Sequence, residues 1–308
     1  MVAQLGEKAW RAFSPGIYPR SEALVQATRD LDRGRTSPEA VAEQLERDFA
    51  AFVAAQEGAG LDLLSDGMLG WQDLFRPLVE SAEGLDARPL TRLLDTNTFY
   101  RAVLVDGSPR LGTLLPAPRL PVGRWLATLP SPLAFARAAQ GAVSAQALAE
   151  TVLAPQISAY ARAGCALVVL SDPSLAREGG VRELRAALAE LPGDVPLALQ
   201  LPFGDAAQVL ADCADLPVEA IGVDFYSTSL ESVPPGFPKE IVAGVIDSRS
   251  SALEDPAGIR AFALELAGRA VGGVSLAPNG DLQFVPEPIA RQKLALLGLA
   301  KVALEAAA

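Results

Sequence analysis

The sequence predicts an α/β fold, a single-domain (β/α)8 TIM barrel, from three observations. Short apolar runs end repeatedly in a polar residue, as in Ala220-Ile-Gly-Val-Asp-Phe-Tyr226. The pattern recurs at Leu61 to Asp66, Ala166 to Asp172, Glu240 to Asp247 and Val274 to Asn279. Runs of four to six apolar residues bounded by turn residues read as strands buried on both faces of a parallel sheet. Helical stretches separate most of these runs, and eight runs can be counted, which is the number that closes a TIM barrel. The competing architecture is an open doubly wound sheet, but no glycine-rich phosphate fingerprint follows any run.

Taken in order, Trp10 to Arg20 supplies the first strand and its loop, and Ser21 caps a helix to about Arg33. Ser37-Pro38 opens a longer helix that runs through Glu57 and stops at Gly58 and Gly60. Strand two follows to Asp66, and Trp71 to Glu80 reads as helical. The segment 83–125 reads as an inserted loop, hairpin or lid, irregular to Pro121 apart from a turn between short extended pieces near Val103 to Pro109. Strand three is Ala127 to Pro132. Helices over 144–163, 180–190, 205–212 and 254–271 then alternate with strands at 166–171, 195–201, 220–225, 240–246 and 273–277, and a helix over 287–306 closes the fold.

A net charge of −11 and only four lysines argue against nucleic acid or an anionic membrane as partner. No stretch approaches 18 apolar residues, and Met1 to Arg20 lacks the plan of a signal peptide, so the expected location is cytoplasmic. Cys165 and Cys213 sit among apolar residues and read as buried, inert thiols. Histidine is absent, which removes Ser-His-Asp and Cys-His catalysis and the usual His-based zinc sites.

In a parallel barrel the C-terminal strand ends face one mouth, so Asp66, Asp172, Asp224, Asp247 and Asn279 are expected to share a pocket. Tyr18, Arg20, Trp71, Asn97, Tyr100, Tyr226 and Arg249 are expected around them. Carboxylates converging in a cleft raise one another's pKa, which would suit Asp66, Asp172, Asp224 or Asp247 to general acid-base catalysis. They could equally hold Mg²⁺ through oxygen ligands, or bind a cationic substrate. The alternative is structural: the acids pair with Arg20, Arg101, Arg177 and Arg249, or cap helices.

Several stretches together resemble the catalytic half of cobalamin-independent methionine synthase and its short single-barrel relatives. They are Gly16-Ile-Tyr-Pro-Arg-Ser21, Gln56 to Gly67, Asp73, Asp95 to Tyr100, Leu129-Pro-Ser-Pro132, Asp172-Pro-Ser-Leu175, Gly244 to Asp247 with Arg249, and Leu276 to Leu282. The resemblance implies a TIM barrel and methyl transfer to a thiol activated by zinc. Carried over by position, the family's zinc ligands fall on Leu201, Phe203, Asp224 and Gly280, of which three cannot bind a metal. On the substrate side, the family's first-loop serine falls on Ile17, a glutamate on Met68, and its paired acids on Ser171 and Asp172. Methionine synthesis itself is therefore not carried over. The expectation is a zinc-independent methyltransferase or related small-molecule enzyme with no cofactor, and the alternative is a non-catalytic descendant that binds a small molecule or a protein. Phe203 in place of a thiol would make the mouth more apolar, and the oligomeric state stays open.

Overall fold

The computed structural model describes residues 10–71, 73–92 and 99–306. The chain begins with β1 (Arg11–Ala12), α1 (Glu22–Asp32) and α2 (Pro38–Gly58), followed by α3 (Arg76–Ser81). A hairpin of β2 (Ala82–Arg92) and β3 (Phe99–Leu111) comes next, then β4 (Leu126–Pro130), α4 (Pro132–Ala138) and the short β5 (Ala139–Gln140). Helices α5 (Ala145–Leu148) and α6 (Ala154–Arg162) lead to β6 (Leu167–Ser171), α7 (Leu175–Glu178), α8 (Val181–Leu188) and β7 (Leu197–Leu201). The chain ends through α9 (Leu210–Cys213), β8 (Ala220–Asp224), β9 (Glu240–Ile246), α10 (Pro256–Ala267), β10 (Val274–Pro278) and α11 (Glu287–Glu305).

Seven strands form one parallel sheet in the order β1-β10-β9-β8-β7-β6-β4. Its two edges curl toward each other around Leu63 and Leu64. Leu63 bridges to Phe13 beyond β1, and Leu64 bridges to Trp125 beside β4, both in parallel. Leu64 donates its N–H to Arg124 (2.9 Å) and accepts one from Leu126 (2.9 Å). The result is a TIM-barrel-like single sheet. Strands β4, β6, β7, β8, β9 and β10 are buried at every position, because their inner and outer faces are both covered. Phe13, Leu63, Leu126, Val169, Ala198 and Val242 belong to the smaller of two apolar clusters. The larger one joins the strands to the helices, and Trp125 and Phe135 are buried in it, with Trp10 packed against its edge.

Capping sets the helix starts. Ser21, Ser37, Ser131 and Asp255 each accept a backbone N–H in the first turn of the helix they precede, and Pro38, Pro132 and Pro256 occupy positions where no N–H is needed. The close approach of α11 to the end of α2 requires Gly298, where a Cβ would fall 1.8 Å from the Ala59 carbonyl oxygen.

Three expectations change. The stretch read as irregular is two long antiparallel strands, Ala82–Arg92 and Phe99–Leu111, with register shifts near Gly84 and Pro89. Its first strand exposes nearly every residue beyond Leu85, so it carries no buried period for the eye to find. The helix expected over 144–163 is interrupted by a wider π turn at Ala149–Leu153, one turn before Pro155, whose missing N–H breaks the regular ladder. The helix expected over 205–212 shrinks to Leu210–Cys213. Among the described residues no helix is long and apolar enough to cross a membrane.

Candidate functional site

The four acids read as a cluster have different surroundings. Asp172 is fully buried and saturated with donors. Its Oδ1 accepts from Ser174 N (3.0 Å), Ser174 Oγ (2.7 Å) and Leu175 N (2.9 Å), and its Oδ2 accepts from Ser131 Oγ (2.5 Å). Asp224 is fully buried too. It accepts from Tyr226 N (3.0 Å), Asn279 Nδ2 (2.9 Å) and Ser227 Oγ (2.9 Å), with Arg249 Nη2 3.7 Å away. Asn279 also accepts from Ser248 N (2.9 Å), so it ties the ends of β8, β9 and β10 together. These contacts match the structural role that pairing and loop capping would give, although serines and backbone amides supply most of the donors in place of arginines.

Asp247 lies at the rim, where its Oδ1 accepts from Arg249 N (3.0 Å). Beside it the Tyr226 hydroxyl, half-exposed, donates to Val245 O (3.3 Å) and lies 3.5 Å from Glu254. Asp66 points elsewhere. It lines a water-sized cavity of about 20 Å³ with Trp71, Trp125, Thr128 and Tyr160, and accepts from Met68 N (3.0 Å). Burial raises its pKa, and backbone hydrogen bonds oppose the shift without reversing it. The pocket expected to unite Asp66 with the other acids is therefore not formed around Asp66, which lines this separate cavity instead.

The mouth cavity is built from residues largely outside the expected set. It is also about 20 Å³, and Ile17, Asp73, Tyr100, Phe203, Asp281 and Gln283 are among its lining residues. Asp281 is the acid that matters here. It accepts from Ile17 N (3.1 Å) and Gln283 Nε2 (3.2 Å), and burial pushes its carboxyl up to about 6. The cause of both raised acids, Asp66 and Asp281, is desolvation and not repulsion between neighbouring carboxylates. Asp73 is buried as a loop anchor: it accepts from Phe75 N (2.9 Å), Arg76 N (2.8 Å) and Arg101 N (3.2 Å). Tyr100 packs on Phe75 with ring centroids 5.3 Å apart, and burial raises its hydroxyl pKa.

Phe203 dominates the wall of this cavity. Its backbone is in the left-handed region (φ 63°), held there by two hydrogen bonds from Arg177 to its carbonyl (3.1 and 2.9 Å). Its ring meets Phe284 edge-on at 5.2 Å, lies under the Arg249 guanidinium at 5.3 Å, and fills the space over Gly280. Arg249 thus bridges Asp224, Asp247 and this ring. Both cysteines are buried, and burial pushes their thiols up to about 11 (Cys165) and about 12 (Cys213).

A larger cleft adjoins the mouth and shares Ile17 and Gln283 with it. It measures about 380 Å³ and is lined by the expected Tyr18, Arg20 and Trp71 together with Glu22, Glu287 and several prolines. Tyr18 stacks on Phe52 (4.1 Å) and donates to Glu287 (3.3 Å). Asn97 lies outside the described residues. The reading missed Asp281 and Gln283, although Asp281 stands inside the Leu276 to Leu282 stretch that carries the resemblance. An acid three residues past a strand end was the available signal.

No family model matches the chain. Over 286 aligned residues it is 29% identical to the 5-methyltetrahydropteroyltriglutamate–homocysteine methyltransferase of Mycobacterium tuberculosis, an alignment covering 77% of the chain. The chain spans about 37% of the length of that relative. Among solved structures, a B12-independent methionine synthase from Shewanella sp. W3-18-1 in complex with selenomethionine superposes with a TM-score of 0.75 at 14% identity, covering 98% of this chain and 99% of that one. A protein of Listeria monocytogenes named as a vitamin-B12-independent methionine synthase gives 0.71 at 18% identity, over 96% and 99%. The structural matches show the fold, and over the aligned residues the sequence is similar to that of the cobalamin-independent methionine synthases.

Proposed function

We propose that this chain is a divergent methionine-synthase-like barrel that handles a small molecule at its mouth without zinc. The observation that carries the reading is the Phe203 ring over Gly280. Where the family resemblance puts two thiolate ligands, this chain has an aromatic ring packed against a residue with no side chain. Leu201 has no donor atom, and the Asp224 oxygens already accept from three groups beside Arg249. Those four positions do not fit a zinc ion, and among the described residues no cluster of three or more His, Cys, Asp or Glu side chains is arranged to hold a metal. In this reading Leu63 and Leu64 form the second of eight strands, and the segment 83–125 is an insertion beside the mouth.

Asp281 is the group we assign to proton transfer, because its carboxyl lines the mouth cavity and titrates near neutral pH. Support for a small-molecule ligand comes from the relatives: the mycobacterial enzyme is named for transfer to homocysteine, and the Shewanella protein holds selenomethionine. A second reading, a non-catalytic binder, is favoured by one observation: Asp172 and Asp224, the best-placed acids by sequence, are occupied as structural acceptors.

The test is elemental analysis of protein purified without chelators or an affinity tag, with a Zn²⁺ titration and an assay of methyl transfer from 5-methyltetrahydropteroyltriglutamate to homocysteine. The expected result is zinc far below one per chain. Stoichiometric zinc would overturn the proposal. Methyl transfer that proceeds without zinc and is lost on Asp281→Asn decides for catalysis, and ligand binding without turnover decides for the second reading.

A further inference from the structure

We infer that the cleft lined by Tyr18, Arg20 and Trp71 binds a small organic anion, a carboxylate or phosphate on an apolar body, with Arg20 as its anchor. This rests on the small-molecule reading above and names the ligand class.

The cleft, at about 380 Å³, is of the size that holds small ligands. Arg20 lines it half-buried, and among the described residues its guanidinium makes no hydrogen bond and no ion pair within 4.0 Å. Asp48 is the acid that favours its charge, yet Asp48 already accepts from Ser21 N (2.9 Å), Ser21 Oγ (2.8 Å) and Gln44 Nε2 (2.8 Å). Arg29 and Arg76 both act on Arg20 as like charges. Of the two acids on the cleft wall, Glu287 is taken up by Arg291 (2.6 Å) and by the Tyr18 hydroxyl. The other, Glu22, is exposed in the first turn of α1, where the helix N-terminus offsets its charge. Neither acid of the wall is bonded to the Arg20 guanidinium.

A guanidinium that has lost part of its water without gaining a partner is a poor resting state and a good receptor. Its planar fork meets a carboxylate or phosphate with two parallel hydrogen bonds. Trp71, Val25 and Pro286 offer an apolar wall for the rest of such a ligand. Glu287 stays with Arg291, so the charge of the anion falls to Arg20.

The experiment titrates the full chain with benzoate, phenyl phosphate and benzamide, which share one ring and differ in charge. Binding is read by calorimetry and by tryptophan fluorescence, since Trp71 lines the cleft while Trp125 is buried. The anions are expected to saturate one site, with benzamide weaker by about tenfold or more, the worth of a charge-assisted hydrogen bond. Arg20→Gln should erase that preference and Arg20→Lys should keep part of it. The tighter of the two anions identifies the natural group as carboxylate or phosphate.

Equal binding of benzamide, unchanged anion binding in Arg20→Gln, or no saturable binding of either anion at millimolar concentration would overturn the inference. The benzamide comparison uses the unaltered chain, so it decides the matter even if a variant fails to fold. A failure here leaves the zinc result untouched, and stoichiometric zinc would leave this result untouched.

Discussion

The Phe203 ring stands where any side chain at residue 280 would have to go: a Cβ built on Gly280 would meet its Cζ at 2.6 Å and its Cε1 at 2.7 Å. Each residue therefore determines the other. Gly280→Ala is expected to destabilise the fold by about 1–3 kcal/mol through overpacking. The double variant Gly280→Ala with Phe203→Ala should cost less than the sum of the two single changes, by about 1 kcal/mol. Urea unfolding of the four proteins measures this coupling, and strict additivity would mean that the ring yields freely and does not fill the site.

Asp281 gives the chain a pH dependence of definite sign. Its carboxyl is raised to about 6 in the folded state by burial, above the usual value of about 4 in an unfolded chain. Between those values the folded state holds more protons than the unfolded one, so stability contributed by Asp281 is present at low pH and lost as pH rises from about 4 to about 6. Asp281→Asn keeps an acceptor for Ile17 and Gln283 but abolishes the titration. The stability of the variant relative to the parent should climb through that window by about 3 kcal/mol, and then level off. Denaturant unfolding at stepped pH follows it, and a flat difference would show that the carboxyl is better solvated than its burial implies.

The sheet was legible because a strand covered on both faces must be apolar along its whole length, and β6 to β10 are. Strand two is weaker, since only Leu63 and Leu64 pair across, yet the apolar run around them marked it. The hairpin was legible only as one option for 83–125 and the length of its strands was not, because β2 exposes its residues and carries Gly84 and Pro89, so neither period nor propensity speaks for a strand. At the site, sequence could say which acids end strands but not which would find partners. Ser131 reaches Asp172 from 41 residues away, and Asn279 reaches Asp224 from 55. Those long-range donors turn two of the four candidate acids into structural acceptors, while Asp281 has only two donors and keeps a raised pKa.

That division predicts opposite consequences for similar mutations. Asp172→Ala removes the acceptor for four donors in a fully buried place and should destabilise the fold by about 2–4 kcal/mol, with the melting temperature falling accordingly. Asp247→Ala, at the rim with a single backbone donor from Arg249, should cost less than about 1 kcal/mol. Thermal unfolding of the two variants side by side checks the ranking. Equal costs would return Asp247 to the interior network and Asp172 to the candidate pocket.

Lys293 is a further buried charge, and it ties α11 to the rim loop. Its ammonium is fully buried on α11, 2.5 Å from Glu254 Oε1 and 2.7 Å from Ala252 O. The same Oε1 accepts the N–H of Asp247 (2.9 Å), while Oε2 is buried without a hydrogen-bond partner. Breaking such a pair from one side strands the other charge. Lys293→Met should therefore cost about 3–5 kcal/mol, whereas Lys293→Met combined with Glu254→Gln should recover a large part of that loss. The double variant keeps an amide able to accept from Asp247 but lacks the ammonium. If urea unfolding shows the double variant as unstable as Lys293→Met, then the lysine acts by filling space in the core. If it recovers, charge pairing is what fastens the 247–254 loop, with Arg249 on it, over the Phe203 ring.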